Sequence, residues 1–483
     1  MNEKGDSHLF LGGGSLARRA FLGRSAQGVG AVALASLARP GLLEAAPQRG
    51  VLESLSLPQQ AKRVIWLTMA GGPSHLETFD HKPKLAELDG QPMPESMTKG
   101  QQLAQLQGAK LICFGPQHPF TKMGPNGTEI CSLFPHIGSA LGDICLIRSM
   151  TTEAINHDPA HMFMNTGSQI AGRPSMGAWV TYGLGSEAAD LPGFVVLTSL
   201  GRGGQNQPIA ARQWNSGFLP SKYQGVRFRP TGDPVPYLNN PEGVSREARR
   251  NLLDGIQELN KQHLADYGDP ETETRISQYE MAFQMQMSVP GLLDFKDEPK
   301  SVMESYGPDV NTPGSFARHC LIARRLVERG TRFVQLMHSG WDQHSNLFTQ
   351  LEKQCEDTDR PSAALVKDLK RLGLLDSTLV VWGGEFGRTP FGQGPAEKPN
   401  GRDHFGRAFS LWMAGGGVKA GHVVGATDDF AWNITKDPIH VHDHQATMLH
   451  LLGIDHEKLT FRYQGRQYRL TDVHGKVVKG ILA

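Results

Sequence analysis

Three short polar clusters toward the C-terminal end of the chain carry residue types that bind metals: Trp341-Asp342-Gln343-His344-Ser345-Asn346, Gly384-Glu385-Phe386-Gly387-Arg388 and Arg402-Asp403-His404-Phe405-Gly406-Arg407. Carboxylate oxygen and imidazole nitrogen together suit zinc, manganese, iron or hard cations such as calcium, so donor type alone does not choose the ion. Arg388 and Arg407 add guanidinium groups that pair with phosphate or sulfate oxygens, although each equally fits a neighbouring carboxylate. Asn346 is a lesser candidate for orienting a substrate. Upstream, His75, Glu77, Asp80, His157, Asp158 and His161 supply further ligands or acceptors, neutral imidazole being the commonest metal-binding group.

Such groups act only if rigid elements hold them. The runs Thr331–Met337 and Ser377–Trp382 are β-rich, apolar and closely followed by glycine, as buried parallel strands would be. The clusters therefore fall where strands stop, the carboxyl edge at which open α/β sheets bind ligands. Lys62–Met69 reads as a first strand ending in the turn Ala70-Gly71-Gly72-Pro73, and Ile144–Arg148 as a second, reached from a helix over 133–141. Further on, helix 316–329, strand 332–337, helix 347–372, strands 379–382 and 409–413 and a closing helix near 445–452 keep the β/α rhythm. The expected fold class is α/β, a doubly wound, mostly parallel sheet with helices on both faces. Residues of about 200–315 break that rhythm, first Gly-, Pro- and Gln-rich and then charged and helical, and read as a partly helical insertion or cap. A proline two residues beyond His157 argues for a loop there, displaying His157 and His161. His440 and His442 alternate on an extended segment and His444 and His450 do not share a helix face, so a structural or supporting role is expected for them.

The N-terminus is set apart. Ala17-Arg18-Arg19-Ala20-Phe21-Leu22 resembles a twin-arginine export signal, and the small, weakly apolar stretch 25–37 is too short to anchor a membrane. Ala45-Ala46 marks the expected cleavage point, giving a signal peptide over 1–46, a single domain over 47–483, and a periplasmic or extracellular address without an integral membrane segment in the mature chain. The 49 basic and 48 acidic residues nearly cancel, which leaves no electrostatic footprint for nucleic acid. Five cysteines without metal-ligand spacing suggest one or two disulfides or buried thiols, and no catalysis. Gly12-Gly13-Gly14 and Gly415-Gly416-Gly417 lack the strand–helix context of a dinucleotide loop.

The order of these motifs resembles the alkaline phosphatase-like superfamily, and more closely an exported, sulfatase-like family known as a domain of unknown function. Gly71-Gly72-Pro73-Ser74, Gly340–His344, Gly384–Pro390 and Asp403-His404 carry the resemblance. It implies a site for two metals at the strand ends, with Asp342, His344 and His404 matching one ligand set. The other half departs from the pattern: Gly71-Gly72 stand where an aspartate is expected, and Glu385-Phe386 where an Asp-His pair is expected. Counting back from Thr166-Gly167 places His157-Asp158-Pro159-Ala160-His161 over the nucleophile motif, with His157 in place of the nucleophile. Formylglycine chemistry is thereby excluded. His157 and His161 are left as extra metal ligands, the favoured choice, or His157 as a phosphoryl acceptor, or the site as one that has lost this chemistry.

The expected function is an exported hydrolase of phosphate or sulfate esters using one or two divalent ions (zinc, calcium or manganese), on an anionic small molecule or glycan. Asp342, His344, His404, Glu385, His157 and His161 are the expected ligands, and His157 and Arg388 the expected catalytic groups. The alternative is a binding protein of the cell envelope that recognises anionic glycans on an inherited fold.

Overall fold

A computed structural model describes residues 48–98, 110–207, 209–235, 238–395 and 398–483. The twin-arginine motif, the apolar stretch after it and the expected cleavage point lie outside the described residues. Among the described residues, no helix is long and apolar enough to cross a membrane.

The central element is a nine-stranded sheet. Its members are β1 (Arg63–Met69), β2 (Ile144–Thr151), β3 (Phe194–Ser199), β4 (Val226–Arg227), β5 (Phe333–His338), β6 (Thr378–Gly383), β9 (Phe409–Ala414), β10 (His422–Val424) and β11 (Ile439–His440). The strand order is β10-β2-β9-β6-β1-β5-β3-β4, with β11 also on β2. β1 runs parallel to both β5 and β6, and β3 parallel to β5. β9 is antiparallel to β2 and to β6, so the sheet is mixed but mostly parallel. The intervening β7 (Gly387–Gln393) and β8 (Gly401–Phe405) form a separate antiparallel hairpin.

Alternation along β1 shows why the sheet needs helices on both faces. Ile65, Leu67 and Met69 belong to one buried cluster with α6 (Phe316–Glu328) and α7 (Leu347–Arg371). Val64 and Trp66 belong to the opposite cluster with α2 (His157–Thr166), α3 (Met176–Leu184) and α8 (Val441–Leu451). Successive side chains of a strand point to opposite faces, so a chain apolar at both parities is buried twice. α1 (Pro135–Ala140) adds to the first face, against α7. The segment expected as a cap contains two long helices, α4 (Arg246–Tyr267) and α5 (Pro270–Leu293). All five cysteines are free and buried.

Two local expectations need correction. His157 does not lie on a loop: it opens α2, with Pro159 in the first turn, where the missing N–H has no intrahelical partner in any residue. His440 caps α8 and His442 lies within it, so these two do not alternate on a strand.

Candidate metal centre

β6, β1 and β5 lie side by side, with Thr68 level with Gly383 and Met69 level with His338. Their three carboxyl ends deliver Glu385, Gly71-Gly72 and Asp342 to one place. The Trp341 N–H donates to the Ala70 carbonyl at 3.1 Å, tying the Asp342 loop to the end of β1. His157 and His161, four apart on α2, share one helix face. His404 comes from β8, directly opposite Arg388 on β7.

Donor atoms of His157, Asp342, His344 and His404 lie within 4.8 Å of one another, and those of His157, His161 and Glu385 form a second such group. All six ligands expected from sequence therefore fall in two groups that share His157. Around Asp342 Oδ1 stand His344 Nε2 at 2.8 Å, His157 Nε2 at 3.3 Å and His404 Nε2 at 3.6 Å. His344 and His404 bring their Nε2 atoms to 2.9 Å from each other.

The outer nitrogens explain the inner ones. His404 Nδ1 is 2.8 Å from the Ile155 carbonyl, to which it can only donate. His157 Nδ1 is 2.6 Å from Glu385 Oε1, and His344 Nδ1 contacts Gln393 Oε1. Each Nδ1–H donates outward, so in a neutral ring each Nε2 presents a lone pair inward, the arrangement of metal-ligating histidines. Two such lone pairs 2.9 Å apart beside a buried carboxylate repel unless a cation or a shared proton sits between them, and Arg388 Nη1 approaches His344 Nε2 only to 3.5 Å. The donor set thus fits a divalent transition metal.

Electrostatics agree. Burial pushes the Asp342 carboxyl up, but His157, His344, His404 and then Arg388 outweigh it and hold it well below the usual carboxylate range. For Glu385, burial is likewise overcome by His161 and His157, and its pKa falls to about 2. His157 is raised, because Asp342 and Glu385 outweigh its burial. His161 and His404 are lowered, chiefly by burial. Metal binding replaces protons on such rings.

Other expected residues sit elsewhere or do other work. Arg388, expected to grip an anion, is 1% exposed and spends its guanidinium on Asp342 (2.6 Å) and on the carbonyls of Gly72 (3.0 Å), Arg402 (3.2 Å) and Gly71. It fixes Asp342 and ties the turn after β1 and the segment after β5 to β8. Arg407 is exposed, its guanidinium over Trp432 and bonded to Asn433. Glu77 pairs with Arg402, Asp80 with Lys82 and Asp158 with Arg212. Asn346 is the exposed N-cap of α7.

The glycines that replace the expected aspartate have a steric cause. A Cβ on Gly71 (φ +126°) would lie 2.4 Å from the Asp342 nitrogen, and one on Gly72 (φ +74°) 2.6 Å from the Phe386 ring. The Phe386 ring in turn packs 5.0 Å from that of His157 and 4.7 Å from that of His404. Sequence reasoning missed Gln207, whose Nε2 donates to Asp342 Oδ2, and Gln205, whose N–H donates to the Asp342 carbonyl at 3.1 Å. The one signal for them was the polar triplet Gln205-Asn206-Gln207 inside a Gly-rich stretch.

Residues 61–482 match the family described as protein of unknown function (DUF1501). The chain belongs to the DUF1501 family. This agrees with the resemblance read from the motifs. Comparison with the curated proteins gives no match. Among solved structures, this DUF1501 chain overlaps distantly with Ps i-CgsB in complex with k-i-k-neocarrahexaose (10% identity, 82% of this chain and 72% of that chain, TM-score 0.35). It also overlaps with the PsFucS1 sulfatase from Pseudoalteromonas sp. (11%, 82% and 69%, 0.34) and with alkaline phosphatase from the Antarctic bacterium TAB5 (10%, 74% and 93%, 0.27). The fold and the site of this DUF1501 protein rest on its own strand order and distances.

Proposed function

We propose that this protein is an exported, metal-dependent hydrolase of phosphate or sulfate esters, acting on an anionic small molecule or glycan. The observation that carries the reading is the convergence of three inward-facing imidazole nitrogens on one deeply ionised carboxylate, Asp342, at the carboxyl edge of the sheet. A divalent ion held there supplies Lewis acidity, polarising an ester oxygen and acidifying water. The chain's residues do the rest. Glu385 orients His157, Ile155 orients His404, and Arg388 keeps Asp342 ionised and aimed. His344, at 16% side-chain exposure the most open of the four, marks the side from which substrate approaches. Gln205 and Gln207 bring the start of the 200–315 segment onto Asp342, which supports a cap over the site.

Because Glu385 holds His157 Nδ1 and leaves Nε2 facing Asp342 beside the other ligand candidates, a ligand role is favoured over a phosphoryl-acceptor role. The test is a panel of aryl phosphate and sulfate esters with zinc, calcium or manganese, comparing wild type with His404→Ala. Turnover that a chelator and His404→Ala both abolish supports the reading. A fully loaded protein that turns over no ester but binds a sulfated glycan would instead favour the binding-protein alternative.

A further inference from the structure

We infer that the centre holds one metal ion, with His157 as a ligand through Nε2, and that Glu385 holds His157 in place instead of binding a second ion. This rests on the metal-dependent reading above, and it concerns occupancy, so it can fail without that reading failing.

The two donor groups share His157, and an imidazole that keeps one ring proton has one lone pair to give. Glu385 Oε1 lies 2.6 Å from His157 Nδ1, and the same carboxyl accepts the Gly71 N–H, so it is placed as the acceptor of the Nδ1 proton. The lone pair is then on Nε2, toward Asp342. For Glu385 to ligate a second ion beside His157, that proton would have to leave and both ring nitrogens would be metallated. Glu385 is also held from the other side: the Gly71 N–H lies 3.1 Å from Oε1 and 3.2 Å from Oε2. Together, the backbone of β1's end and the histidine clamp this carboxylate as an orienting group.

Space and charge point the same way. Besides His157, only His161 joins Glu385 in the second group among the described residues. The Phe386 ring lies against His157, His404 and Gly72, so that side of the two imidazoles is filled by carbon. Asp342 pairs with the Arg388 guanidinium, while Glu385 faces only imidazoles and the Gly71 N–H. A single dication nearly balances that buried set, whereas two would leave it strongly positive away from water, a costly state.

The experiment is metal content per chain of the purified holoprotein by elemental and native mass spectrometry, with circular dichroism as the folding control. One ion is expected in wild type and in His161→Ala, and none in His404→Ala. Glu385→Gln is expected to keep one ion with affinity weakened about 10- to 100-fold. Two ions in wild type, or none, would overturn the inference, and this arm needs no variant to fold. One ion without ester turnover would leave it standing and remove the proposed reaction; two ions with turnover would do the reverse.

Discussion

The pair Glu77–Arg402 carries a prediction that links stability to the metal centre. Both side chains are fully buried, with Arg402 Nη2 2.6 Å and Nε 2.9 Å from Glu77 Oε1. Glu77 also accepts from the Gln117 N–H at 2.7 Å. Glu77→Ala leaves a guanidinium in the interior without its counter-charge, a loss of about 3–5 kcal/mol. For a folded unit of about 440 residues, the unfolding entropy is roughly 0.9 kcal/mol per degree, so the melting temperature should fall by about 3–5 °C. Glu77→Gln keeps an acceptor for Gln117 and should lose less. Arg402 lies two residues before His404, and its own N–H donates to the Gln343 carbonyl at 3.2 Å, next to His344. The same substitution should therefore weaken metal binding. The assay is a thermal melt in chelator, which removes the metal's own contribution, followed by a metal titration of the folded variant. A Glu77→Ala protein melting within about 1 °C of wild type would refute the reasoning, since a charge cannot be left unpaired there at no cost.

Two further outcomes follow from named contacts. Gly71→Ala must push a methyl into the Asp342 backbone, 2.4 Å away, so it should lower the melting temperature and release the metal; for the same reason Gly71→Asp should not create a second ion site, and two bound ions in that variant would contradict the steric argument. His444 is fully buried beside Trp66, and burial lowers its pKa to about 4. A folded-state value depressed from 6.5 means that the unfolded chain takes the proton more readily, so this stability is present above about pH 6.5 and lost as pH falls toward 4. Between pH 7.5 and 5 the loss is about 2 kcal/mol. A His444→Phe variant should be less sensitive to acid by that amount in denaturant titrations with chelator; parallel pH curves for the two proteins would count against it.

What the sequence shows and what it hides divide along physical lines. β1, β5 and β6 are legible because they are apolar at both parities, a pattern that only a doubly covered strand can bury, and the polar residues after them mark the site because a parallel sheet ends there. The hairpin β7–β8 is not legible. Gly387-Arg388-Thr389-Pro390 and Gly401-Arg402-Asp403-His404 have the composition of loops, and they become strands because Arg402 and Arg388 are pulled inside by Glu77 and Asp342. That pairing joins residues more than three hundred and more than forty positions apart, beyond any local pattern. The work of Arg388 is hidden for the same reason: an exposed guanidinium and one buried against a metal ligand are identical in sequence.

The departures at Gly71, Gly72 and Phe386 are coupled parts of one arrangement. A side chain at position 71 would collide with the Asp342 backbone, and one at 72 with the Phe386 ring. That ring supports the faces of His157 and His404. Replacing the glycines with an aspartate would displace the phenylalanine or the Asp342 loop, and replacing the phenylalanine with a histidine would remove packing from two ligands that the structure already aims at Asp342. On the one-ion proposal, these departures read together as an exchange of one ion's ligands for packing around His404 and around His157, which Glu385 turns inward.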